Sequence, residues 1–405
     1  MKHSFPFILG FISFFIFGCN TLKEKNPKHE SQNKYLQKAL EVAKHQLGFQ
    51  TKLIEESGRF INPRTVHNGF VTYVGNTSWT SGFFPGTLFY MYDLTEDEKW
   101  KDLGVKYTET LESVKNLTSH HDVGFMINCS FGNALRVTNN EAYKDIMIEA
   151  AKSLSTRYRE GAGVIQSWDE DRGWQGERGW SCPVIIDNMM NLELLMKATE
   201  FSQDSTFWNI AISHANQTMK HHFRDDWSSF HVVDYQKETG EVRSRETAQG
   251  YAHESAWARG QAWGIYGYTI MYRYTKDPKY LQMTDNIYNF IFNHKNLPED
   301  LVPYWDFDAP NIPNEPRDAS AAAIIASALY ELVALGQVQY KETADKIMES
   351  LSSPVYRALV GTNGNFILMH SVGSIPHKNE IDVPLSYADY YFLEAMSRKA
   401  ELEKI

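Results

Sequence analysis

Cysteine is scarce in this chain, three in 405 residues. Cys129 and Cys182 sit among apolar neighbours and read as buried free thiols; with Cys19 they make no disulfide framework. Metal-ligand spacings are missing: there is no HExxH and no CxxC. There is no GxSxG elbow and no phosphate-cradling glycine loop, so serine-nucleophile and nucleotide chemistry lack support. Positive charge is in deficit, with a formal net charge of −10. Nucleic acid is therefore not an expected partner, because phosphate binding needs a basic footprint. An anionic small substrate stays open if a few cations focus the field locally.

What is abundant is aromatic: 23 Phe, 22 Tyr and 10 Trp. Many must fill a core, but rings also stack on sugars. The N-terminus reads MKHSFPFILGFISFFIFGCN, a short basic start followed by an apolar run too short for a comfortable membrane span. Ile16-Phe17-Gly18-Cys19 resembles a bacterial lipobox. The expectation is a lipoprotein signal over residues 1–18, lipidation of Cys19, a polar tether over 19–32 and one catalytic domain over 33–405. The protein would be exported and face the periplasm or the cell surface. Its one membrane contact would be the lipid at Cys19.

Helical periodicity dominates the rest, and it repeats. "DEKWKDLGVKYTETL", "NEAYKDIMIEAAKSL", "DSTFWNIAISHANQTM", "DPKYLQMTDNIYNFI" and "QVQYKETADKIMESL" are amphipathic segments that open on an aromatic. Each follows a segment of small or aromatic residues, beginning near Trp79, Asp122, Asp187, Ala256 and Asp318; a sixth begins near Val383. The helix around 33–47 supplies the missing outer partner; an open solenoid needs polar end caps, whereas here the first and last helices can pair, so a closed ring is expected. The fold class is all-α: an (α/α)6 barrel of six helical hairpins, with its site where the inner helices start. Short strands are expected at 163–169, and a hairpin over 229–247 turning at Glu238-Thr239-Gly240.

Asp122, Asp187 and Asp318 all open inner segments, and Asp is a favoured helix cap contributing about 1 kcal/mol. Asp318 reads as a cap alone. Asp187 lies in "CPVIIDNMMNLELLM", where an apolar setting would favour proton donation. His120-His121-Asp122 reads poorly as a metal site, because adjacent residues cannot all aim at one ion from a helix start. Asp122 and Asp187 would reach one mouth from neighbouring helices, and two carboxylates in one pocket can act as acid and base. A catalytic pair and a pair of caps both remain open from the residues alone. In "ESAWARGQAWGIYGYTIMYRY", Arg259 and Trp263 share a helix face, which suits a carboxylate on a sugar ring.

"HHDVGF", "IIDNMMNLELL", "TAQGYAHESAWARGQAWGIYG" and "SYADYYFLEAM" together resemble the unsaturated glucuronyl hydrolases, glycoside hydrolase family 88, over residues 33–400. The resemblance implies an (α/α)6 barrel and an exo-acting, cofactor-free and metal-free enzyme, present as a monomer or homodimer. Its substrate would be an unsaturated uronate oligosaccharide left by a polysaccharide lyase. Asp187 matches the general acid/base and Asp122 the assisting aspartate. Trp79, Phe83, His121, His231, Gln249, Arg259, Trp263 and Tyr387 match substrate-binding positions, with Trp168 or Trp174 as further contacts. In "HSVGSIPHKNEID", some relatives carry a Ser/Lys sulfate cluster; here Ser371, Ser374, His377 and Lys378 have a different spacing. The resemblance leaves two alternatives in view, an unsaturated rhamnogalacturonyl hydrolase and a carbohydrate-binding barrel without catalysis.

Overall fold

The computed structural model describes the backbone of residues 27–404 and side chains from residue 34 onward. The signal segment, Cys19 and most of the tether lie outside the described residues. Twelve helical segments form the barrel. The outer ones are α1 (Pro27–Ser57), α3 (Glu98–Glu109), α5 (Ala142–Ser155), α7 (Ser205–His221), α9 (Pro278–Asn293) and α11 (Lys341–Ser352). The inner ones are α2 (Phe83–Thr95), α4 (residues 123–138), α6 (Leu192–Ser202), α8 (Ala258–Thr275), α10 (Ala319–Ala334) and α12 (Ser386–Lys404). Each inner helix touches the next, and α12 returns to α2, so the ring closes as expected. Helix α1 begins at Pro27, so residues 27–32, read as tether, are helical.

The hairpins are built by a repeated device. Inner helices end on a residue with left-handed φ: Glu96 (56°), Asn139 (55°), Gln203 (59°) and Lys276 (55°). After three of these, the next residue is an aspartate that caps the outer helix. Asp97, Asp204 and Asp277 accept from the backbone N–H groups of Lys99, Thr206 and Lys279. The chain thus reverses within a few residues. Each of five outer helices then buries an aromatic at its start: Trp100, Tyr143, Phe207, Tyr280 and Tyr340. Burying such a ring stabilises by about 2–3 kcal/mol. Inner helices are small-residue rich because they crowd the axis; α10 is buried from Ala319 to Val333.

At the opposite end, the connections into the inner helices are long and carry the sheets. Strands β1 (Asn62–His67) and β2 (Phe70–Val74) form one hairpin, and β3 (Cys182–Ile185), β4 (Val232–Tyr235) and β5 (Val242–Glu246) form a sheet in that order. Strands β6 (Ser371–Ser374) and β7 (Asn379–Val383) form another hairpin. The expected 229–247 hairpin is present as β4–β5, with Gly240 at φ 74° in its turn. The stretch at 163–169 contributes only Val164–Ile165, paired with Tyr158–Arg159. Cys129 and Cys182 are buried and free.

Candidate active site

The strands wall a cavity of about 270 Å3, open to solvent, over the starts of the inner helices. Three carboxylates line it: Asp122 and Asp187 at the helix starts, and Glu380 on β7, which is engaged by Arg64. Asp187 sits in the 3-10 turn Ile186–Asn191 that leads into α6. Its Oδ2 is buried without a hydrogen-bond partner, and His231 Nε2 stands 3.6 Å away. His231 precedes β4, and its Nδ1 accepts the backbone N–H groups of Ala248 (2.9 Å) and Gln249 (3.3 Å). A nitrogen that accepts carries no proton, so in the neutral ring the proton sits on Nε2, the nitrogen 3.6 Å from Asp187.

Asp122 stands at the entry of α4, and its side chain makes no capping hydrogen bond, contrary to expectation. It is held by the two histidines instead: His120 Nδ1 at 2.9 Å and His121 Nε2 at 3.1 Å. Burial would raise its pKa, but His121, His120 and Arg157 outweigh burial and hold it below the ordinary value. Burial drives the His121 pKa down, so that ring is neutral. His121 is wholly buried and does not line the cavity, which corrects its assignment as a wall residue. His231 likewise stands behind the wall, 2% exposed, and meets the site through Asp187.

Two aromatic surfaces face the carboxylates. Trp79 packs on Phe83 (6.1 Å), Phe125 (6.1 Å) and Tyr387 (5.1 Å). Trp168 stacks on Trp180 (5.9 Å) and meets Trp174 (5.1 Å), which tilts against His377 (5.1 Å). Trp263 lines the floor with its Nε1–H buried and unpartnered. Arg259 shares that floor, as their common helix face requires. Its guanidinium is already engaged: it donates to Asp318 Oδ2 (3.2 Å), to the Val372 carbonyl and to the Gly373 carbonyl (2.7 Å). The free fork expected for a carboxylate is therefore occupied. Asp318 does cap α10, accepting from Ser320 and Ala321, and it also neutralises Arg259.

Gln249 lines the cavity and donates to the Gly373 carbonyl (3.3 Å). Ser374 lines it too, its hydroxyl 2.7 Å from His377 Nδ1. Ser371 is buried away from it, and Lys378 lies in the neighbouring groove between the β1–β2 and β6–β7 hairpins, so neither forms the wall. Missed in the sequence was Arg64 on β1, which forks onto Glu380 (2.6 and 3.1 Å) and sits 5.8 Å from the Trp79 ring. The available signal was the Asn68-Gly69 turn, both residues at positive φ (49° and 81°), which marks a hairpin. Among the described residues, no cluster of His, Cys, Asp or Glu could hold a metal ion.

Carboxylates set among rings that can stack on pyranoses, at the wide end of a helical barrel, are the equipment of a glycoside hydrolase. The model of Glycosyl Hydrolase Family 88 matches residues 55–400, and the chain belongs to that family. It is 48% identical to an unsaturated glucuronyl hydrolase of Formosa agariphila, over 84% of this chain and 83% of the relative. An unsaturated chondroitin disaccharide hydrolase of Streptococcus agalactiae is 33% identical over 92% of this chain and 95% of its own. The crystal structure of an unsaturated glucuronyl hydrolase specific for heparin superposes with TM-score 0.87 at 45% identity, covering 92% and 99% of the two chains.

Proposed function

We propose that this enzyme hydrates the C4=C5 double bond of a non-reducing-end unsaturated glucuronyl residue and so releases the rest of the oligosaccharide. The observation that carries the reading is the pair of histidine-backed aspartates in one aromatic-walled cavity. Protonation of an enol ether at C4 develops positive charge at C5 and the ring oxygen. Asp122, held ionised by its histidines, is suited to stabilise that charge. Asp187 carries the proton to C4 and draws one from the water that adds at C5. The hemiketal at C5 then opens to a keto-uronate and the free aglycone. No covalent glycosyl-enzyme is required, unlike the retaining mechanism. The names of the relatives support this reading and give none to the rhamnogalacturonyl alternative.

We also propose, from the apolar N-terminal run and Ile16-Phe17-Gly18-Cys19, that the enzyme is exported and anchored by lipid at Cys19, facing the periplasm or cell surface, as a monomer or homodimer. The chemistry is tested with residues 20–405 and unsaturated disaccharides from several lyases, following ultraviolet absorbance of the double bond. Wild type is expected to bleach at least one. Asp187→Asn and Asp122→Asn are each expected to lose about 10²–10⁴-fold in kcat. A folded wild type that bleaches none overturns the reading.

A further inference from the structure

Behind Asp122 runs a buried polar chain that belongs to neither the cavity nor the helix ladder. Asn191, at the end of the Asp187 turn, is 0% exposed, as are His121 and Asn188. Its Oδ1 accepts the Phe125 backbone N–H (3.0 Å), which fixes the orientation of the amide. Its Nδ2 therefore donates to His121 Nδ1 (3.1 Å) and to Asn188 Oδ1 (2.9 Å). Asn188 is oriented in turn by donating to the Ile165 carbonyl (2.6 Å). Both amides are thus anchored by backbone groups that cannot exchange donor for acceptor. Gly124 makes the approach possible: a Cβ there would lie 2.3 Å from Asn191 Oδ1.

We infer that Asn191 is a positioning residue: it fixes His121 as the Nε2–H tautomer and so keeps a ring N–H, rather than a lone pair, beside the Asp122 carboxylate. The inference rests on the proposed hydration and names what that site needs beyond its two aspartates. His121 Nδ1 takes the amide N–H and stays unprotonated, so the ring proton sits on Nε2, 3.1 Å from Asp122 Oδ1. The other tautomer would point a lone pair at a carboxylate. His231 is set in the same way beside Asp187, its Nε2 3.6 Å from Oδ2, with backbone N–H groups doing what Asn191 does here. The charged groups acting on this locus are His120 on the same segment, Arg157 with its partner Asp169, and Asp187 across the site.

The test combines Asn191→Leu, His121→Gln and the double variant, each checked for folding, with histidine nitrogen NMR on the substrate-free protein. The His121 signal is the one lost in His121→Gln, and in wild type it is expected to show protonated Nε2. Asn191→Leu is expected to lower kcat by about 10- to 100-fold with little change in KM. It should also shift the acid limb of the rate profile to higher pH, because the freed ring can then set a lone pair beside the ionised Asp122. A glutamine amide donates whatever its neighbour does, so the double variant should be no slower than His121→Gln alone. A protonated Nδ1 in wild type, an unmoved acid limb in folded Asn191→Leu, or additive losses in the double variant would each overturn the inference. If Asn191→Leu does not fold, the wild-type tautomer decides. Should wild type bleach no substrate, the proposed function fails, and the same spectrum still judges the tautomer.

Discussion

At the scale of single residues, the site is organised by what stands behind its carboxylates. Residue type revealed Asp122 and Asp187, because chemistry restricts the choice to few side chains. It could not reveal that His121 faces backward, since a histidine beside an aspartate reads the same on either side of a wall. Nor did it show Arg259 engaged by Asp318 and two carbonyls, since those partners lie 59, 113 and 114 residues away. The Arg64–Glu380 fork makes a further prediction. Glu380 is 5% exposed and Arg64 22%, so Glu380→Ala strands a half-buried cation beside Trp79. Its cost is expected at about 1–3 kcal/mol, read as a drop in urea midpoint. Arg64→Ala removes a positive charge from a cavity proposed to take a uronate, and should raise KM more than it lowers kcat in steady-state assays.

At the scale of elements, the repeat was legible because it rests on period and punctuation. Apolar faces recur every 3.6 residues, and an aspartate after three of the tight reversals starts the next helix. The small hairpins were less legible, because β6 and β7 are short and joined by a four-residue loop, and both the β1–β2 and β6–β7 hairpins carry a register shift. The π-turn Asn128–Gly132 inside α4 has no sequence signature. Contact between elements is closest at glycines. A Cβ on Gly267 of α8 would lie 2.4 Å from Met189 Cβ, in the turn that carries Asp187. Gly267→Ala is expected to destabilise by about 1–3 kcal/mol in thermal or urea unfolding, and to lower kcat by displacing that turn.

For the whole molecule, two buried histidines set the acid limit. His214 accepts the Ile165 N–H and His222 Nε2 donates to the Val184 carbonyl; burial lowers the pKa of each to about 3. Between the unfolded value near 6.5 and that folded value, only the unfolded chain takes up the protons, so stability falls as pH falls through this window. At pH 5 each histidine should cost about 2 kcal/mol relative to neutrality, visible as a lower urea midpoint. The base of the barrel adds to this, since Arg273 and Arg398 hold Glu193, Glu331 and Glu394 together, and Arg273 with Lys197 pulls the Glu193 carboxyl far below its usual value despite burial. The alternation of ring positions also gives the molecule a polarity. Even-numbered helices descend from the cavity and odd-numbered ones climb back, so α1 starts and α12 ends on the face opposite the cavity. Both ends of the described chain therefore lie on one face and the cavity opens on the other, which leaves its mouth clear of either end.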